Sequence, residues 1–192
     1  HLSLRRQRQM CIRDRHSHRA DITMSNPQIE LHIAHMGTIT LELDAEKAPK
    51  TVANFLQYVE DGHYANTIFH RIIPGFMIQG GGMSSGMKQK KTHPAITNEA
   101  DNGLKNVHYS VAMARTSEPH SATAQFFINT ADNDFLNFSA PTQQGWGYAV
   151  FGKVISGTEI VDAMEKVATG RVGMSDDVPL EDVLLEKVVL KA

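Results

Sequence analysis

Apolar and polar residues alternate in two neighbouring segments of the chain. IELHIA (29–34) and TITLELD (38–44) both show the two-residue period of a β-strand with one buried face. Met36-Gly37 lies between them, where the chain must reverse. The pattern therefore predicts a β-hairpin.

A spacing of three to four residues between apolar positions predicts two helices. In residues 47–62 the apolar side chains recur at this spacing, a proline lies near the start, and Gly62 provides an end. EIVDAMEKVA (159–168) repeats the spacing with four apolar residues on one face. One helix is thus expected near each end of the chain.

Six further apolar segments predict strands, and the polar residues 80–108 and 131–147 predict long loops. Many short strands with only two helices predict a mostly β fold, in the form of an antiparallel barrel with helical plugs. The segments are TIFHRII (67–73), FMIQ (76–79), YSVAMA (109–114), QFFINT (125–130), YAVFGKVI (148–155) and VLLEKVVLKA (183–192).

The composition narrows the class of protein. The apolar fraction of 41% suffices for one sizeable core. The sequence has no run of 18 apolar residues, so we expect no membrane-spanning segment. Cys11 is the only cysteine, which excludes an internal disulfide and fits a reducing compartment.

Residues 1–23 differ in charge from the rest of the chain. They hold six arginines and two aspartates, and their charge of +4 leaves −6 for residues 24–192 when the whole chain carries −2. We predict a disordered leader over 1–23 and a single domain over 24–192. The leader lacks the apolar core of a secretory signal. A transit peptide and a non-native upstream remnant before Met24 are the alternatives, and we favour the remnant because no amphipathic period is evident.

FHRIIPGFMIQGGG (69–82) places a single arginine, Arg71, in an apolar segment. Taken alone, such a residue is usually a surface arginine whose stem covers apolar atoms while its head stays in water. The alternative is a donor directed at a bound molecule. Strand alternation would put Met77 and Gln79 on one face and Phe76 and Ile78 on the other.

Three further motifs follow in order: VAMAR (111–115), SATAQFFINT (121–130) and YAVFGKV (148–154). Together with residues 69–82 they resemble the cyclophilins, a family of peptidyl-prolyl cis/trans isomerases, over about residues 28–190. NDFLNF (133–138) and VATGRVGMSDDVPLEDV (167–183) are most similar to the bacterial cytoplasmic isomerase B branch. The resemblance implies a mostly β fold, a cyclophilin-like eight-stranded antiparallel β-barrel capped by two α-helices, and a cytoplasmic location.

The resemblance also implies an active site with Arg71, Phe76 and Gln79 as its catalytic residues. Arg71 would donate to the proline nitrogen, which accepts a hydrogen bond only when the amide is twisted. Gln79 would hold the substrate backbone and orient Arg71, and the Pro74-Gly75 break would have to turn Phe76 toward them. The substrate-binding residues would be Met77, Ala114, Arg115, Gln125, Phe127, Phe135, Leu136 and Tyr148.

The implied reaction is rotation about Xaa-Pro bonds in unfolded or flexible chains, which assists protein folding. This rotation breaks no covalent bond and requires no proton transfer, so we expect neither a metal nor a cofactor. The expected partners are proline-containing polypeptides. We expect a monomer, and the acidic domain is a poor candidate for binding nucleic acid.

Two positions depart from the animal cyclophilin pattern. Phe135 stands where that pattern has tryptophan, and Tyr148 stands where it has histidine. Since phenylalanine lacks the indole N–H, we expect weak cyclosporin binding. A non-catalytic module that binds proline-containing peptides is the alternative function, and the intact set of Arg71, Phe76, Gln79 and Phe127 favours the enzyme.

Overall fold

The computed structural model describes residues 26–191. The predicted leader over residues 1–23 therefore lies outside the described part of the chain. Within the described part, none of the helices has the length and apolar character needed to cross a bilayer.

The predicted hairpin is confirmed. Strand β1 (Gln28–Ile33) pairs antiparallel with β2 (Gly37–Leu43), in a register that sets Ile29 against Leu41. Every second residue of β1 is buried, as the alternation requires. The turn between the strands passes through His35, whose φ is 64°.

The described part of the chain also contains eleven further strands and two α-helices. The helices are α1 (Pro49–Asp61) and α2 (Thr158–Glu165). The strands are β3 (Thr67–Ile68), β4 (Arg71–Ile73), β5 (Met77–Gly80), β6 (Met83–Ser84), β7 (Lys88–Gln89), β8 (Ser110–Met113), β9 (Phe126–Asn129), β10 (Val150–Ser156), β11 (Thr169–Val172), β12 (Ser175–Pro179) and β13 (Leu184–Lys191).

The main sheet curls into a barrel, in which the chain connects β3 directly to β4 at the other end of the strand order. Its hydrogen-bonded order runs β4-β5-β9-β8-β10-β2-β1-β13-β3 and continues into the short strands β6 and β7. All of these pairings are antiparallel. Only Phe69 and His70 separate β3 from β4. Counted as one interrupted strand, β3 and β4 make the predicted eight-stranded barrel.

Helix α1 plugs the apolar interior of the barrel. Its buried residues, Thr51, Val52, Phe55 and Tyr58, recur at helical spacing. The Phe55 ring lies 5.3 Å from the ring of Phe151 on β10. Gly62 ends the helix in the left-handed conformation with φ of 74°.

A carboxylate from a distant loop satisfies the first turn of α1. Glu99 Oε1 accepts hydrogen bonds from the Thr51 N–H at 2.7 Å and from the Thr51 hydroxyl at 2.6 Å. Ala48, at the N-cap, has no side-chain acceptor for these donors. Glu99 therefore supplies both the missing cap and a charge that suits the helix dipole.

Two predicted loops contain regular structure. Residues 80–108 were predicted as loop, but β6, β7 and a short 3₁₀ helix at Ala100–Asn102 lie within them. Residues 131–147 contain a second 3₁₀ helix at Asp134–Leu136. The β11–β12 hairpin was missed because TGRV and SDDVP show no apolar alternation.

His70 is buried between β3 and β4, and no acidic side chain within residues 26–191 pairs with it. Its side chain is 7% exposed, and its Nδ1 atom has no hydrogen-bond partner among the described residues. Burial lowers the pKa of His70 to about 4, and the neighbouring charge of Arg71 acts in the same direction. The imidazole is therefore neutral at physiological pH.

The buried His70 predicts a pH-dependent stability. Between pH 6.5 and 4 the unfolded chain binds a proton that the folded protein excludes, so the free energy of unfolding falls as the pH drops through this window. The loss attributable to His70 is about 3 kcal/mol at most. We expect urea denaturation at pH 7 and pH 4.5 to show a smaller loss for His70→Gln than for the unmodified protein. Equal losses would contradict a depressed pKa.

Candidate active site on the outer face of the barrel

Five paired residues form a row across neighbouring strands. Arg71 on β4 lies opposite Gln79 on β5, which lies opposite Phe127 on β9. The row continues through Ala112 on β8 to Val150 on β10. Residues directly opposed on paired strands project to the same face. The register therefore gathers the guanidinium, the amide and the phenyl ring on one face.

The adjacent row of the same strands faces the barrel interior. Ile72, Ile78 and Ile128 are paired with one another and are each 0% exposed. They belong to the main core, whereas Met77 and Phe127 belong to a separate apolar cluster. The row that contains Arg71 therefore lies on the outer face of the barrel.

A tight turn brings Phe76 to this face. The Phe76 N–H donates to the Ile73 carbonyl at 3.0 Å, and Gly75 takes the left-handed conformation with φ of 75°. Proline followed by a residue with positive φ is typical of a type II turn. Phe76 lies in the turn and not in β5, so strand alternation does not force its side chain to the other face of the sheet from Met77. Its ring packs against the same outer cluster as Met77.

Glu165 braces this turn from α2. Its Oε2 atom accepts a hydrogen bond from the Gly75 N–H at 2.5 Å. The contact joins residues 90 positions apart in the sequence. The spacing of apolar residues in α2 could not have revealed it.

The outer face holds a cavity of about 130 Å³. Buried apolar side chains form its wall, and Tyr148 lies edge-on to Phe127 with ring centroids 5.8 Å apart. The structure thus brings together nine of the eleven predicted site residues, namely Arg71, Phe76, Met77, Gln79, Ala114, Arg115, Phe127, Leu136 and Tyr148.

Gln125 and Phe135 lie beside the cavity and do not line it. The Gln79 Nε2 atom donates to Gln125 Oε1 at 2.8 Å. Gln125 therefore anchors Gln79, and the orientation of Arg71 by Gln79 stays a prediction. Phe135 is 74% exposed and stacks on Phe76 with centroids 5.6 Å apart, which places it at the rim.

Close packing explains the glycine run 80–82, which begins at the last residue of β5. A Cβ atom on Gly82 would lie 2.3 Å from the side chain of Gln125. A Cβ atom on Gly80 would lie 2.8 Å from the carbonyl oxygen of Ile68. Glycine at these positions therefore leaves room for the Gln79–Gln125 pair and for the barrel wall.

Arg115 contributes its side chain to the cavity, which sequence reasoning did not anticipate. Its Nε donates to the Gly147 carbonyl at 2.9 Å, and its Nη1 donates to the Thr116 carbonyl at 2.8 Å. The guanidinium carbon lies 4.5 Å from the centroid of the Tyr148 ring, within the range of a cation–π contact. Arg115 and Tyr148 thus hold each other in place.

A network of asparagines, also missed from the sequence, supports the cavity from behind. Asn129 Nδ2 donates to Asn106 Oδ1 at 2.9 Å, and Asn133 Nδ2 donates to Asn129 Oδ1 at 2.7 Å. Asn133 Nδ2 also donates to the Phe76 carbonyl at 2.8 Å, and Asn106 Nδ2 donates to the Leu136 carbonyl at 3.2 Å. These bonds fix the backbone of two wall residues.

Three larger cavities lack this combination of groups. One of about 430 Å³ lies between Asn26, Asp44 and Lys153, and one of about 470 Å³ lies between Met36, Val167 and Leu180. A third, of about 250 Å³, lies beside Tyr58 and His93. None of the three is lined by an arginine. Within residues 26–191, no group of three or more histidine, cysteine, aspartate or glutamate residues could hold a metal ion.

The groups around the cavity are suited to binding a peptide with a small aliphatic ring. A flat apolar cavity accepts a small aliphatic ring, while the guanidinium and amide at its edge offer donors to a peptide backbone. The site contains no nucleophile paired with a base. It is therefore suited to holding and polarising a peptide without breaking a bond.

Comparison with known proteins identifies the family to which this chain is similar. Residues 28–190 match the model of the family described as cyclophilin type peptidyl-prolyl cis-trans isomerase/CLD. The chain is 59% identical over 162 residues to peptidyl-prolyl cis-trans isomerase B of Escherichia coli (strain K12), covering 84% of this chain and 98% of that protein. It is 59% identical over 150 residues to peptidyl-prolyl cis-trans isomerase cyp18 of Streptomyces antibioticus, covering 78% and 90%.

Solved structures of the same family have a similar fold. A cyclophilin type peptidyl-prolyl cis-trans isomerase of Cryptosporidium parvum superposes with a TM-score of 0.70 at 25% identity, covering 87% of this chain and 98% of that chain. A second structure of that protein, in the presence of the dipeptide Ala-Pro, gives 0.69 at 26% identity, covering 86% and 99%. The fold, the sequence and the named relatives agree, and the chain belongs to the family of cyclophilin-type peptidyl-prolyl cis-trans isomerases.

Proposed function

We propose that the cavity of about 130 Å³ holds the substrate's proline ring while Arg71 stabilises the twisted amide. The observation that carries this proposal is the pairing of Arg71 with Gln79 and of Gln79 with Phe127. It sets a charged donor beside an apolar wall on one rigid face. The relative from Cryptosporidium parvum was studied with Ala-Pro, a dipeptide of the kind proposed here.

The donor acts on the transition state more than on the ground state. In a planar amide the nitrogen lone pair is conjugated with the carbonyl, and the barrier to rotation is about 18–20 kcal/mol. Twisting the bond localises the lone pair on nitrogen, which then accepts a hydrogen bond. A guanidinium directed at that nitrogen therefore lowers the barrier, because it binds the twisted amide better than the planar one.

Arg71 alone is too weak to account for efficient catalysis. One hydrogen bond to a charged group contributes about 1.5–3 kcal/mol. An acceleration of about 10⁵-fold requires about 7 kcal/mol. The remainder must come from fixing the two ends of the peptide and from excluding water around the amide.

The site offers backbone and side-chain groups for that positioning. Gln79 Nε2 donates a hydrogen bond to Gln125, so Gln79 Oε1 remains free to accept a hydrogen bond from the substrate. The Ala114 N–H is bound to the Gln125 carbonyl at 3.0 Å. Among the described residues, the Ala114 carbonyl and the Arg115 N–H have no partner. We assign these two groups to the residue that precedes proline.

The range of substrates, the oligomeric state and the cellular location of the protein stay predictions. We infer that the enzyme acts on many flexible proline-containing chains as a monomer in the cytoplasm, in keeping with its resemblance to the cytoplasmic branch. The charge of −6 over residues 24–192 argues against nucleic acid as a partner. A module that binds proline-containing peptides without turnover is the competing function, and the exchange measurement below separates the two.

Replacing Arg71 tests the mechanism. We expect Arg71→Ala to slow catalysed cis/trans exchange of an Ala-Pro peptide by at least ~10-fold, the scale of one charged hydrogen bond. Exchange NMR at catalytic protein concentration measures this rate. Since Arg71 is exposed, the variant should remain folded.

The matched control is Arg171→Ala. Arg171 is an exposed arginine of the separate β11–β12 hairpin and does not line the cavity. This variant should keep the unmodified rate. If Arg71→Ala also keeps it, Arg71 has no part in catalysis, and if the unmodified protein fails to accelerate exchange, the non-catalytic alternative is correct.

Replacing Phe135 tests the expected weak cyclosporin binding. Phe135 lies at the rim on Phe76 and has no donor for a drug carbonyl. A buried carbonyl left without a partner costs about 1–3 kcal/mol, or roughly 5- to 150-fold in affinity. We expect Phe135→Trp to strengthen inhibition within this range without a comparable gain in turnover. Inhibition of the unmodified protein at nanomolar drug would contradict this interpretation.

A further inference from the structure

The cavity carries positive charge without a matching acid. Two of its nine lining residues, Arg71 and Arg115, are arginines, and none is aspartate or glutamate. The ion pairs found among residues 26–191 include neither of them. A ligand in the cavity therefore meets two guanidinium charges that the surrounding side chains do not neutralise.

Arg115 is held rigidly and keeps donors to spare. Its guanidinium has five N–H groups, of which the contacts to Gly147 and Thr116 use two. The stacked ring of Tyr148 covers its face and leaves its edge open. Because the side chain is half-buried, bulk water and salt screen its charge less than that of a fully exposed arginine.

The position of Arg115 links this charge to one part of the substrate. In the function proposed above, the main chain at Ala114 and Arg115 holds the residue before proline, and the present inference rests on that placement. The side chain of that residue then lies beside the Arg115 guanidinium. Arg71, by contrast, is directed at the proline nitrogen itself.

We propose that Arg115 makes this isomerase prefer an acidic residue immediately before proline. A carboxylate there pairs with the remaining N–H groups of Arg115 in a charge-assisted contact. A lysine at the same position is repelled by the guanidinium. Tyr148 supports the preference by fixing the guanidinium plane, so less conformational freedom is lost when the carboxylate binds.

The test compares three peptides that differ only in the residue before proline: glutamate, glutamine and lysine. Exchange NMR gives kcat/KM for each, normalised to the uncatalysed rate of the same peptide. For a half-buried pair we expect Glu-Pro to exceed Gln-Pro by about 3- to 10-fold, and Lys-Pro to fall below Gln-Pro. Raising the ionic strength should reduce both differences.

Arg115→Gln tests the assignment through a ratio. Its overall activity is free to change, but the ratio of the Glu-Pro to the Gln-Pro rate should fall to about one. Lys187→Gln is the matched control, because it removes one positive charge from β13, which is not part of the site. This control should keep the original ratio.

The outcomes separate this inference from the proposed function. Equal rates for Glu-Pro, Gln-Pro and Lys-Pro, or a glutamate preference that survives in Arg115→Gln, would overturn the role of Arg115 while leaving the isomerase function intact. If none of the three peptides exchanged faster with the protein present, the proposed function and this inference would both fail.

Discussion

The antiparallel pairing of β4 with β5 is the constraint on which the site depends. It sets Arg71 opposite Gln79, and the next pairing sets Gln79 opposite Phe127. A shift of one residue in this register would turn Arg71 toward the apolar interior and bring Ile72 to the surface. Burying the guanidinium there without a partner would be very costly, so the apolar core itself fixes the register.

The turn between these strands gives the site its third catalytic candidate. Pro74 and Gly75 allow the chain to reverse within four residues and leave Phe76 outside the strand alternation. Glu165 holds the turn at Gly75, and Asn133 and the Thr130 N–H both bind the Phe76 carbonyl. The backbone that carries the ring is thus held by contacts from two separate parts of the chain, residues 130–133 and α2.

Much of the fold follows from local sequence patterns. The β1–β2 hairpin and α1 were predictable because alternation and helical spacing are local properties, and Gly62 marks the end of α1. The β11–β12 hairpin was not predictable, since its exposed polar residues carry no apolar period. The closure between β3 and β4 also depends on pairings that no local pattern contains.

In the candidate site, too, some features were predictable from the sequence and others depend on folding. Motifs identified nine residues that the structure gathers around one cavity. They did not reveal that Gln125 anchors Gln79 or that the Arg115 side chain stacks on Tyr148. They also missed the asparagine network, because Asn106 lies 23 residues before Asn129 and meets Asn129 and its near neighbour Asn133 only through folding.

We propose that proline binds on the outer face beside Arg71 and not in a larger cavity elsewhere. Backbone amide NMR during titration with the dipeptide Ala-Pro tests this directly. We expect chemical-shift changes centred on Arg71, Gln79, Phe127 and Tyr148. Changes centred instead on Gly103, Lys105 and Lys153, which line the cavity of about 430 Å³, would contradict it.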